Sequence, residues 1–264
     1  RDADCFNLNS IVDLVKQSEI SSIFPQADLI TGGFPCQDFS IAGKRKGFNS
    51  PVAHHGESID CDDNPTEENR GMLYAWMRKV VSIVLPKVFI AENVKGLVSL
   101  PDVKQIIEKD FSNIGSGYLV VDAKVLYAPD YGVPQSRSRV FFIGFRKDAL
   151  KKQALIELGK SCISDKYNPF PLQTHKDGKD RSLFTQGSLL PYVTAGDCLN
   201  DLPEPDFSSD LSHQSFSKAK WYGKHCQGQT ELDLAKVGPT IRAEHHGNIE
   251  FRRLAAEHGG KNFE

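Results

Sequence analysis

Apolar positions along the chain alternate between short continuous runs and helically spaced faces. Leu29-Ile30 is a short run that reads as a buried strand, and Gly32-Gly33, turn residues that tolerate positive φ, are expected to end it. Behind Asn69-Arg70-Gly71, the residues Met72, Leu73, Trp76, Val80, Val81, Ile83 and Val84 recur at helical spacing, and Pro86 stops the helix. Val88-Phe89-Ile90-Ala91 predicts a second buried strand, with Glu92-Asn93-Val94 at its end. Asp102 is placed to cap a helix carrying Val103, Ile106, Ile107 and Phe111, which Gly115-Ser116-Gly117 breaks. Residues 118–126, with Val120, Val121 and Val125, and residues 140–145 read as strands on either side of the turn Asp130-Tyr131-Gly132-Val133-Pro134. That pair is expected to be antiparallel at a sheet edge, whereas the strand–helix alternation before it predicts parallel α/β winding. Near the start, Ile11, Val12, Leu14 and Val15 predict a short helix within residues 9–17.

Polar stretches interrupt this pattern. Residues 48–69 hold Pro51, Pro65, paired histidines and several acids, and read as a long exposed loop. Residues 147–206 mix loops with weak strands, including a proline-containing turn over 199–205. From residue 207 onward His, Gly and Ser are frequent and long apolar runs are few, which predicts a second, loop-rich region. No internal repeat or low-complexity tract is present.

Composition narrows the partners. The chain has 264 residues, 39% hydrophobic and 25% charged, with a net charge of −2. No global basic field attracts nucleic acid, so such a partner is held by local patches. No apolar run approaches a membrane span, and no signal peptide opens the sequence. Six widely separated cysteines without a C-x-x-C pair predict reduced thiols in a cytoplasmic protein. His54, His55 and Cys61 lack zinc-site spacing, so no metal site is expected.

Candidate chemistry gathers at predicted strand ends. Cys36 follows the first strand through Pro35, which stiffens the backbone before it, at the position where open α/β sheets hold ligands. It is either a nucleophile or a buried structural thiol. The adjoining Ser40-Ile41-Ala42-Gly43-Lys44-Arg45-Lys46-Gly47 is a basic, glycine-bounded loop suited to an anionic polymer. Glu92 ends the next strand, and Arg137 and Arg139 stand at the root of another. A thiol, a carboxyl and two guanidiniums converging on one crevice make a site for covalent catalysis. Taken singly, Glu92 could pair with Lys95, and the two arginines could be a solvated strand edge.

Four blocks resemble the DNA (cytosine-5-)-methyltransferases of the bacterial restriction-modification type: Gly33-Phe34-Pro35-Cys36-Gln37, Arg70-Gly71-Met72-Leu73, Glu92-Asn93-Val94-Lys95-Gly96-Leu97 and Tyr131-Gly132-Val133-Pro134-Gln135-x-Arg137-x-Arg139. They stand in the family's order and span roughly residues 28–145. The resemblance implies an α/β, Rossmann-like S-adenosylmethionine-dependent methyltransferase core with a loop-rich target-recognition region. The expected division is a catalytic core over residues 1–202 and part of the recognition domain over 203–264.

It further implies that Cys36 is the nucleophile, adding to cytosine carbon 6 so that carbon 5 accepts a methyl group. Glu92 would hydrogen-bond ring nitrogen 3 and the exocyclic amine, with burial keeping it partly protonated. Arg139 would contact the base carbonyl, Arg137 the cysteine side or a phosphate, and Gln135 the pocket edge. Asn93 would order its strand end. Gln37, Ser40, Lys44 and Arg45 would meet DNA, and Gly33, Pro35 and Leu73 the cofactor, S-adenosylmethionine. Double-stranded DNA is the implied partner, a restriction endonuclease the functional counterpart, and a monomer the expected state. Gly238-Pro239-Thr240-Ile241-Arg242 and His245-His246-Gly247-Asn248 are further candidate DNA contacts. The family's glycine-rich cofactor turn and C-terminal blocks have no counterpart here, so the sequence reads as a central segment of a longer protein. An RNA cytosine methyltransferase and a non-catalytic DNA-binding fragment are the competing readings.

Overall fold

The computed structural model describes residues 10–16, 23–34, 74–99, 102–178, 189–203, 207–214 and 232–241. The chain packs as two compact units, one of residues 1–126 and 138–171, the other of residues 127–137 and 172–264. The sequence reading expects a division at 202/203. Packing draws its line elsewhere, because main-chain hydrogen bonds tie residues 127–137 to the later segment, as in Thr174 N to Asp130 O at 2.9 Å.

The first unit is built on a four-stranded sheet. Its strands are β1 (Leu29–Gly33), β2 (Val88–Val94), β3 (Tyr118–Tyr127) and β4 (Ser138–Arg146), in the order β1-β2-β4-β3. β1 and β2 are parallel, in register from Leu29 opposite Val88 to Gly33 opposite Glu92. β4 runs antiparallel to β2. It therefore lies inside the sheet and β3 forms the edge, where the sequence pattern suggested only an edge pair. β1 also continues through Gly32 and Gly33 instead of ending there. Its ladder to Ala91 and Glu92 holds these glycines extended, so pairing overrides their weak strand preference.

α1 (Ile11–Lys16), α2 (Tyr74–Val84) and α3 (Val103–Ser112) follow the predicted periodicity, and α2 and α3 cover one sheet face. Val103, Ile107 and Phe111 are buried at a spacing of four, which is one side of a helix. They join Phe34, Tyr74, Val81, Phe89, Ala91, Val140 and Phe142 in the main core. Phe89 stacks on Phe111 with ring centroids 4.6 Å apart. α1 adds Val15 against Trp76 of α2. Asp102, expected to cap α3, has φ 61° and makes no side-chain cap, so its left-handed backbone takes the chain into the helix without one. On the opposite face Val121, Ile143, Leu158 and Phe170 form a second cluster. Leu158 comes from α4 (Lys152–Leu158), a short helix inside a region read from sequence as loops and weak strands.

The second unit contains β5 (His175–Lys176) paired parallel with β6 (Leu190–Pro191), then α5 (Ala195–Leu199) and α6 (Leu211–Gln214). Thr194 and Asp197 close a capping box at the start of α5. Tyr192 donates its hydroxyl to Asp130 at 2.6 Å. Among the described residues, no helix is long and apolar enough to cross a membrane.

Candidate active site

The polar residues of β2 occupy the carboxyl end of a strand whose side chains alternate between the two faces. Phe89, Ala91 and Asn93 are buried toward the main core, while Ile90 and Glu92 point to the other side. Glu92 and Asn93 are adjacent in sequence and so serve opposite faces.

On the Glu92 side, β4 supplies Arg139, which stands opposite Val94, two residues from the partner of Glu92. Arg139 Nε lies 2.7 Å from Glu92 Oε1, with the side chains 21% and 36% exposed. Arg139 also donates from Nη1 to the Ser138 carbonyl at 2.9 Å, which fixes the plane of the guanidinium. The carboxyl is thus held by a directional, charge-assisted contact yet remains accessible from solvent. The carboxyl is about one-third exposed and ion-paired with Arg139. Across the parallel ladder, Glu92 faces Gly33, whose bare Cα leaves the space beside Oε2 open.

On the other face, the Asn93 side chain is almost completely buried at 2% exposure. Its Nδ2 donates to the carbonyl of Phe34 at 3.1 Å, and its Oδ1 accepts from Val94 N at 2.8 Å. The Phe34 ring packs in the core, tilted against Tyr74 with centroids 6.2 Å apart. Phe34, the residue before Pro35-Cys36, is therefore tethered by both its ring and its carbonyl. Pro35, Cys36, Gln37, Ser40, Lys44, Arg45 and Leu73 lie outside the described residues, as does the loop over residues 48–69.

Gln135 and Arg137 belong to the second unit. Gln135 forms a bridge with Gly238, and its Oε1 accepts from Ile241 N at 3.3 Å. Arg137 Nη1 donates to the Ile241 carbonyl at 3.4 Å, and the Thr240 hydroxyl donates to the Ser136 carbonyl. Gly238, Thr240 and Ile241, read from sequence as candidate DNA contacts, thus hold the turn that carries Gln135 and Arg137. No periodicity announces such pairing between segments about a hundred residues apart. The close approach of Glu92 to Gly33 was also missed, although a glycine inside a strand is a known sign of close approach by another group.

Chemically, the first unit offers a carboxyl and a guanidinium in fixed geometry, on the sheet whose β1 leads toward a cysteine. Gly33, at the carboxyl end of a parallel strand and without a side chain, fits a ligand lying close to the backbone. Among the described residues, no group of three or more His, Cys, Asp or Glu could hold a metal ion.

Comparison with known proteins extends these observations. Residues 4–54 and 56–252 match the family described as C-5 cytosine-specific DNA methylase. The Type II methyltransferase M.NgoFVII of Neisseria gonorrhoeae is 33% identical over 267 residues, covering 95% of this chain and 60% of that protein. M.BspRI of Lysinibacillus sphaericus is 34% identical over 225 residues, covering 82% and 42% respectively. M.BsuRI of Bacillus subtilis is 34% identical over 240 residues, covering 89% and 44%. The chain spans about half the length of these relatives.

Proposed function

The chain belongs to the C-5 cytosine-specific DNA methylase family, and from that premise we propose that the protein methylates carbon 5 of cytosine within a specific double-stranded DNA site. The observation that carries this reading is the Glu92–Arg139 pair at 2.7 Å, on the same sheet whose β1 runs through the tethered Phe34 toward Cys36.

Carbon 5 of cytosine is a poor nucleophile. Addition of the Cys36 thiolate to carbon 6 makes carbon 5 electron-rich, provided that ring nitrogen 3 receives a proton or a strong hydrogen bond as the thiolate attacks. Glu92 is the group for that task, and Arg139 holds its carboxyl and offers guanidinium N–H donors to the base carbonyl. Asn93 positions the backbone that delivers Cys36. Gln135 and Arg137 brace the turn before β4. Bound S-adenosylmethionine supplies the methyl group, with Gly33, Pro35 and Leu73 on its side of the site. Elimination of the carbon-5 proton then releases Cys36.

The target atom is inaccessible in a stacked duplex, so the base must be turned out into the site. Gln37, Ser40, Lys44 and Arg45 are suited to hold the displaced strand, and their phosphate contacts would make binding weaken with salt. The residues from 203 onward form part of the target-recognition region in this reading. Methylation would protect the host DNA from a restriction endonuclease of the same specificity, as the Type II names of the relatives suggest.

The test uses the full-length protein and duplexes with 5-fluorocytosine at the target. Fluorine blocks the final elimination, so a denaturation-resistant protein–DNA adduct is expected with the cofactor present. The adduct should vanish in Cys36→Ala. An adduct that persists in this variant would remove Cys36 from the mechanism, and methyl transfer to RNA but not to duplex DNA would overturn the substrate.

A further inference from the structure

Building on the methyl-transfer reading above, we propose that Gly33 is a positioning residue for Glu92, its missing side chain being the space into which the catalytic carboxyl folds. Backbone conformation does not require glycine there. The positive-φ glycines among the described residues are Gly115, Gly117 and Gly132, whereas Gly33 is a paired residue of β1. What a side chain would meet is Glu92. A Cβ at Gly33 would sit 3.2 Å from Glu92 Oε2 and 3.8 Å from the Glu92 carbonyl oxygen. The other carboxyl oxygen, Oε1, is held 2.7 Å from Arg139 Nε. The carboxyl is therefore bounded on both flanks, by β1 through Gly33 and by β4 through Arg139. Relief of the Gly33 contact must come from rotating or shifting the carboxyl against its ion pair.

The adjacent glycine provides the contrast. A Cβ at Gly32 would face the other side of the sheet and meet Met77 Sδ at 3.1 Å. Met77 is an unbranched thioether with several rotatable bonds, and it can move aside. The sequence presents two equivalent glycines, but only Gly33 borders the acid. An alanine at Gly33 displaces Glu92 by a few tenths of an ångström and leaves the fold intact. Misplacing a reacting group by about 1 Å costs ~10²-fold in rate, so a smaller shift should cost roughly 3- to 10-fold.

The experiment compares Gly33→Ala and Gly32→Ala in the full-length protein. The expected result is a roughly 3- to 10-fold fall in methyl-transfer kcat for Gly33→Ala, with DNA affinity near that of the parent and a small, measurable loss of unfolding stability from the displaced carboxyl. Gly32→Ala should keep the parental kcat. A raised cofactor KM at unchanged kcat would confine the role of Gly33 to the cofactor side and overturn the proposal, as would a Gly33→Ala enzyme with parental kinetics. A double-mutant cycle on unfolding stability with Glu92→Ala gives a readout independent of activity. The effect of Gly33→Ala should disappear when the carboxyl is gone, because contacting residues couple and distant ones add. Strict additivity overturns the proposal. Failure of the parent enzyme to methylate duplex DNA would instead overturn the functional reading, and the stability cycle would still decide whether Gly33 and Glu92 are coupled.

Discussion

Asn93 Nδ2 holds the main-chain carbonyl of Phe34 at 3.1 Å, joining the end of β2 to the residue from which the chain enters Pro35-Cys36. The amide is buried, so water cannot replace it. Asn93→Ala leaves the Phe34 carbonyl and Val94 N–H short of their partner, and an unsatisfied buried group costs about 1–3 kcal/mol. We expect a lower urea midpoint and slower single-turnover methylation, with DNA affinity largely kept. Asn93→Asp should not restore either property, because a carboxylate cannot donate to a carbonyl. Parental stability in Asn93→Ala would remove this tether from the account.

Glu92→Gln keeps the shape and hydrogen-bonding reach of the side chain but cannot supply a proton. General acid help is worth about 10²–10⁴ in rate, so kcat should fall by that order while DNA binding changes little. Arg139→Lys should also be impaired, since an ammonium lacks the planar fork that contacts Glu92 and Ser138 together. In a double-mutant cycle the two losses should be non-additive. Equal losses of binding and rate in Glu92→Gln would make the residue architectural.

Gly144 stands opposite Phe89 in the β2–β4 ladder, and a Cβ there would lie 2.0 Å from the Phe89 ring. That ring is fully buried against Phe111 and Tyr118 and cannot retreat. Gly144→Ala should destabilise by about 1–3 kcal/mol through overpacking. Gly178, with open space around it, should accept alanine without loss. Urea unfolding of the two variants checks the contrast.

Acid sensitivity is expected at the start of α5. The backbone N–H of Thr194, with its hydroxyl, hydrogen-bonds the Asp197 carboxylate and holds its pKa below the usual aspartate range. A depressed folded pKa means that this support is present above the unfolded value, about 3.9, and is lost as pH falls through the folded one. Amide exchange of α5 should therefore accelerate below about pH 4. Asp197→Asn should flatten that dependence, and an unchanged acid profile in this variant would count against the capping box as its source.

Local order and chemical class were legible in the residues themselves. The apolar runs around Ile30, Phe89, Val121 and Phe142 marked the four strands, and the spacing of Val103, Ile107 and Phe111 marked a helix, because these periodicities are properties of neighbouring positions. The blocks around Cys36, Glu92 and Arg139 pointed to the family that the comparisons establish. Pairing and direction required the folded chain. Sequence spacing could not show that β4 enters between β2 and β3, because strand pairing joins residues distant in sequence. It could not show that Gly32 and Gly33 are strand residues, because the ladder outweighs local preference. A strand sends successive side chains to opposite faces, and a shift of one residue exchanges them. Register alone therefore aims Glu92 at Arg139 and over Gly33, while turning Asn93 toward the carbonyl of Phe34.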